Sequence, residues 1–113
     1  MLSREHRLSA DFDFRRLRRE GARYASPFFT LFVLLNQRGS SRFGFVVSSR
    51  VSKLATERNR LKRILRDEVE KALSQVRPGV LAAFWVKDQA LGISPEILRQ
   101  QVRKVLGDAW IYH

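Results

Sequence analysis

The sequence predicts an α+β sandwich: one four-stranded sheet in the order α-β-β-β-α-β-α, with helices over part of its surface. Three observations lead there. Residues 28–36 (FFTLFVLLN) and 80–86 (VLAAFWV) are β-prone runs, apolar at nearly every position, as strands covered on both faces are. Leu61, Ile64, Leu65, Val69, Ala72, Leu73 and Val76 recur at helical spacing. Between these segments stand breakers at Gly21, at 37–41 (QRGSS) and at Pro78-Gly79.

Taken in order, residues 1–8 read as a polar lead-in with Leu8 as an anchor. Ser9 is the expected N-cap of a helix over 10–20, with Asp11 and Asp13 in its first turns and Gly21 as its stop. Ala10, Phe14 and Leu17 share one face of that helix, and Arg15, Arg16, Arg18 and Arg19 cover much of the rest. Phe14 fits two roles, a core aromatic or a ring at a groove edge where a base could stack. A short strand over 22–26 ends at Pro27, and residues 42–49 (RFGFVVSS) return after the 28–36 strand, which makes 22–49 an antiparallel arrangement. Gly44 inside the returning strand marks either a bulge or a close approach of another backbone.

The second helix is expected from Thr56, as N-cap with Asn59 at N3, to about Ser74. After the 80–86 strand and a loop over 87–93, Ser94-Pro95-Glu96 supplies an N-cap, a proline at N1 and an acid at the positive end of the helix dipole. That last helix runs to about Leu106, with Ile97, Leu98, Val102, Val105 and Leu106 as its packed stripe, and the tail folds back through Trp110. No repeat, low-complexity tract or linker divides the chain, so residues 1–113 form a single domain.

Composition narrows the function. Lys and Arg number 22 against 11 acids, a net charge of +11, and the pI is near 11.4. Such a balance points to an extended polyanion, and arginine, which dominates it, suits phosphate and stacks on bases. The longest apolar run, residues 28–35, is too short to span a bilayer, and MLSREHRL lacks the apolar core of a signal peptide. Cysteine is absent, so there is neither a disulfide framework nor a thiolate metal site. A soluble, cytoplasmic protein without a membrane or an obligate protein partner is the expectation.

The charge concentrates in residues 50–66, RVSKLATERNRLKRILR. Arg50, Lys53, Arg58, Arg60, Lys62, Arg63 and Arg66 are basic there, and Glu57 alone is acidic. At about 100° per residue the apolar series clusters on one side of the helix, and Asn59, Lys62, Arg63 and Arg66 fall on an adjoining arc. Arg60 lies beyond that arc, and Arg58 projects over the helix entrance. On an ordinary solvated helix, acids at i,i+4 would relieve such charge. Here the next acids after Glu57 are Asp67 and Glu68, so the self-repulsion calls for a polyanionic neighbour.

Catalytic constellations are missing by contrast. His6 and His113 sit in the two terminal segments, where a histidine-pair nuclease would need a rigid scaffold. Asp11 and Asp13 diverge at i,i+2 and serve the helix dipole better than a two-metal site. No phosphate-cradling glycine loop, HExxH or nucleophile elbow occurs.

ERNRLKRILRDEV at 57–69, preceded by RFGFVVSSRVSKLAT at 42–56, resembles the bacterial ribonuclease P protein subunit. That family carries an RNR signature on a helix after a strand reading G-x-x-V-S-(K/R)-(K/R). RLSADFDFRRLRREG at 7–21 is similar to the family's opening, R-L-x(4)-D-F followed by a glycine, and the match covers about residues 7 to 86. The resemblance implies an αβββαβα two-layer sandwich whose second helix makes a left-handed βαβ crossover. It implies an endoribonuclease whose catalyst is an RNA subunit, assisted by the protein in removing the 5′ leader of precursor tRNA, with Mg2+ bound mainly by RNA. Arg58, Asn59, Arg60, Lys62 and Arg63 match the RNR helix and are expected on the catalytic RNA, together with the flanking Arg50, Lys53 and Arg66.

Phe14 matches an aromatic of the cleft in which the family holds the leader. Phe32 takes a sheet position where relatives often have tyrosine, and Arg18 stands where many have a second aromatic. A ribosomal-protein-like RNA scaffold with no part in cleavage is the alternative reading.

Overall fold

The structure, a computed structural model, describes residues 2–109 and 111; Trp110 and His113 lie outside them. Three helices, α1 (Asp11–Glu20), α2 (Ala55–Ala72) and α3 (Pro95–Asp108), and four strands, β1 (Ala22–Ala25), β2 (Phe29–Leu34), β3 (Arg42–Val46) and β4 (Leu81–Val86), follow one another in the expected order. The sheet order is β1-β2-β4-β3. Strands β1 and β2 pair antiparallel, as do β2 and β4, whereas β3 pairs parallel to β4.

β3 is therefore not the hairpin partner of β2 that its place in the sequence implies. β4 lies between them because Leu81, Ala82, Ala83 and Phe84 are apolar toward both faces and suit a central strand. β3, which begins at the exposed Arg42 and runs on to the exposed Ser48 and Ser49, takes the edge. The parallel β3–β4 pair needs a crossover, and α2 supplies it.

Strand alternation divides the core in two. Phe29, Leu31, Val33, Phe43, Ala82 and Phe84 join Leu61, Leu65 and Val69 of α2 and Leu98, Val102 and Leu106 of α3. On the other sheet face Phe32, Leu81 and Ala83 meet Leu8 and Leu17, with Phe14 and Trp85 packed at the margin. Of the three helices only α1 covers this second face, so part of it stays open. The stripe expected on α3 is right except at Ile97, which is 45% exposed; it sits in the first turn, where the helix overhangs its partners.

Helix starts differ from the sequence expectation as well. α1 begins after Ala10 and α2 after Leu54, and neither has a side-chain cap, so Ser9 and Thr56 do not serve as N-caps. At α2 the work passes to Ser52: its Oγ accepts the Leu54 N–H at 3.1 Å, and its carbonyl accepts from Arg58 Nη1 at 2.9 Å. α3 starts as expected, with Ser94 Oγ accepting the Ile97 N–H at 3.3 Å and Pro95 in the first turn. Pro78-Gly79 turns the chain into β4 with Gly79 at φ 79°, and the Gly79 carbonyl accepts the Gln37 N–H at 2.8 Å.

A candidate nucleic-acid interface

Two features stand close together on this scaffold. The first is the cationic side of α2. Leu61, Ile64, Leu65 and Val69 are buried and fix the helix's rotation, which sends the adjoining arc outward. Asn59, Arg63 and Arg66 line a groove of about 420 Å³ together with Asp67. Lys62 and Arg66 turn toward a second groove on the α1 side. Arg50 and Lys53 are exposed in the loop before the helix, and Arg60 is exposed beyond the arc. Among the described residues, no carboxylate lies within ion-pair distance of any of these cations.

Arg58 behaves differently: its guanidinium folds back onto the Ser52 carbonyl, over the helix entrance. It is half-buried and braces the β3–α2 loop.

Of the acids on α2, Glu68 turns toward α3, while Asp67 stands between α3 and the groove wall it shares with Arg63 and Arg66. Glu68 is only 4% exposed and lies 2.9 Å from Arg103 Nη1 and 3.6 Å from Arg99 Nη1. Asp67 adds a 4.0 Å approach to Arg99 Nη2. Glu68, and at the limit of ion-pair distance Asp67, are thus engaged by α3 rather than by the cations of the arc.

The second feature is an aromatic cleft between α1 and the open sheet face. Phe14 and Trp85 meet edge to face with centroids 5.9 Å apart, and Phe32 and Trp85 do the same at 5.2 Å. Arg18 lays its guanidinium 5.2 Å from the Trp85 centroid and 5.5 Å from that of Phe32, while Arg23 lies 5.6 Å from Phe32. Phe14, Trp85, Arg15, Arg18 and Arg19 line a hollow of about 430 Å³. One register row of the sheet explains the shape: Arg23, Phe32, Ala83 and Gly44 lie side by side on neighbouring strands.

Gly44 resolves the choice its position posed. It marks a close approach, of a ring and not of a backbone: a Cβ there would come within 2.5 Å of Phe14 Cε1 and Cζ, and 3.2 Å from Leu8 Cδ2. The missing side chain lets Phe14 settle onto β3.

Of the three residues expected in the cleft, Phe14 and Arg18 line its hollow, whereas Phe32 forms its floor. Phe32 is 6% exposed, with Trp85, Arg18 and Arg23 around its ring, so a base reaches it only if Arg18 moves. Trp85 is the ring that sequence reasoning missed. Its signal was there, since tryptophan is seldom fully buried and this one stands near a strand end, two residues beyond a pair of alanines.

Comparison with known proteins settles the ancestry. The family model Ribonuclease P matches residues 2–110. The chain belongs to the Ribonuclease P family. It is 33% identical over 114 residues to the Ribonuclease P protein component of a Pseudanabaena species, covering 100% of this chain and 98% of that relative. It is 32% identical to that of Herpetosiphon aurantiacus, covering 99% and 90%. Among solved structures, the RNase P protein of Staphylococcus aureus superposes with a TM-score of 0.87 at 21% identity, covering 96% of this chain and 98% of that one. The RNase P protein of Thermotoga maritima, solved in complex with 1-(4-fluorophenyl)-2-thiourea, gives 0.80 at 23% identity over 88% and 96%. The αβββαβα sandwich of this chain is thus the fold of Ribonuclease P proteins.

Proposed function

We propose that the protein binds the catalytic RNA of ribonuclease P through the cationic arc of α2 and holds the 5′ leader of precursor tRNA in the α1–sheet cleft. As a member of the Ribonuclease P family the chain works in tRNA 5′ processing, within a holoenzyme whose catalyst is RNA. The observation that carries the residue assignment is the unneutralised charge of Arg60, Lys62, Arg63 and Arg66 beside a cleft of aromatic rings and guanidinium planes. Leader sequences vary, and stacking plus charge tolerates any base, whereas base-edge hydrogen bonds would not.

Positioning the strand and screening crowded phosphates raises the affinity for substrate and for Mg2+ without a protein catalytic group. Among the described residues no cluster of three or more His, Asp or Glu side chains is placed to hold a metal ion; the magnesium of this proposal sits mainly on the RNA. No helix among the described residues is long and apolar enough to cross a membrane, and we place the protein's work in the cytoplasm.

The test is reconstitution. Purified protein alone should leave precursor tRNA intact, yet let the matching catalytic RNA cut it at low magnesium. Cutting by protein alone would indicate a nuclease, and failure to assist the RNA would indicate a scaffold.

A further inference from the structure

The cleft does not end at Phe14. That ring lines a second groove of about 280 Å³, whose other walls are Arg7, Leu8, Ser9, Gly44, Phe45, Lys62 and Arg66. The groove exists because the lead-in segment is pinned to the edge of the sheet. Arg7 bridges to Phe43 in parallel fashion, and the Leu8 N–H donates to the Phe43 carbonyl at 2.9 Å. Leu8 is buried, so Arg7 and Ser9 on either side of it are held outward. Across the groove stand Lys62 and Arg66 of α2. Gly44 keeps the floor low beside the Phe14 ring, while Phe45, next on β3, turns its ring to the other sheet face and stacks on Phe84 at 5.5 Å.

The groove therefore has an apolar floor at Gly44 and Leu8, the Phe14 ring as one wall, and three cations on its rim. None of the three is ion-paired to a carboxylate among the described residues. An apolar floor under unneutralised charge fits a nucleotide, with the base against the Phe14 ring and the phosphate among the cations.

We infer that this groove is a second leader subsite, so that the strand passes Phe14 and continues over the edge of β3 toward Lys62 and Arg66. The inference rests on the leader-cleft reading and redivides the α2 cations. Asn59 and Arg63 face the catalytic RNA, Lys62 faces the leader, and Arg66 borders both grooves. Charge complementarity and the wall shared with the cleft select a single-stranded RNA segment as occupant.

The chain has no cysteine, so a single one can carry a photo-crosslinker. Ser9→Cys and, as a probe of the cleft itself, Arg15→Cys are labelled separately and assembled with catalytic RNA and precursor tRNA. The Ser9 probe should attach to leader nucleotides. Its attachment to the catalytic RNA alone, while the Arg15 probe still reaches the leader, overturns the subsite and leaves the cleft reading standing. If neither probe reaches the leader, both readings fall.

A second measurement compares precursor tRNA bearing a long leader with one bearing a single leader nucleotide. Arg7→Ala should lower the long-to-short affinity ratio about three- to tenfold and flatten the salt dependence of the long-leader complex by about one log unit. An unchanged ratio, or an equal loss for both substrates, contradicts the inference.

Discussion

The arginines of α3 and Arg60, Arg63 and Arg66 of α2 are the same residue on neighbouring helices, yet they meet opposite fates. Arg99 and Arg103 close on Glu68, and Arg99 reaches Asp67 as well, so their charge is spent inside the protein as a clamp between helices. Arg60, Arg63 and Arg66 have no carboxylate in ion-pair range among the described residues. The difference separates charge matched inside the fold from charge left for a partner. A cation matched to a buried acid stabilises the fold, and a cation left unmatched repels its neighbours until a polyanion arrives.

The largest effect expected from this contrast lies at the clamp. Glu68→Ala removes the buried carboxylate that Arg99 and Arg103 share and should cost about 1–3 kcal/mol, read as a lower denaturation midpoint at unchanged m-value. A cost near zero would mean that the clamp is as idle as a surface pair.

Next comes the cleft beside the unmatched charge. Phe14→Ala should weaken binding of leader-bearing substrate by roughly 1–3 kcal/mol while the protein keeps its fold by circular dichroism. If unfolding is the main result, the ring belongs to the core. The smallest effect is at Ile97, whose serine replacement should change stability by less than about 0.5 kcal/mol, because the residue is largely out of the stripe it nominally joins. A larger loss in thermal or chemical denaturation would return Ile97 to the core.

Element order was legible because each segment carries its own period and its own breakers: β2 and β4 are continuous apolar runs, and α3 opens on Ser94-Pro95-Glu96. Strand pairing was not legible from local pattern; the parallel β3–β4 pair followed only from the βαβ crossover that the family resemblance implies. Local pattern favours joining β2 to β3, and only long-range packing shows that the doubly covered β4 must come between them. The start of α2 is not legible at Thr56 because a capping residue is recognised by type, whereas Ser52 acts from outside the helix through a turn.

The cationic arc could be read from spacing alone, since burial of Leu61, Ile64 and Leu65 fixes the rotation of everything between them. The cleft could be read only in part. Trp85 and Phe32 come from strands whose neighbours are set by the sheet, and Arg18 reaches over both from a helix far away in the chain.

The most direct test of unmatched charge as RNA-binding charge is the salt dependence of assembly with the catalytic RNA. Replacing Arg60 and Arg63 together with alanine should lower the slope of log K against log salt by about one unit for each phosphate no longer neutralised, whereas Arg103→Ala should leave that slope unchanged. Equal slopes for wild type and the Arg60/Arg63 variant, or a slope that drops with Arg103→Ala instead, would contradict the account.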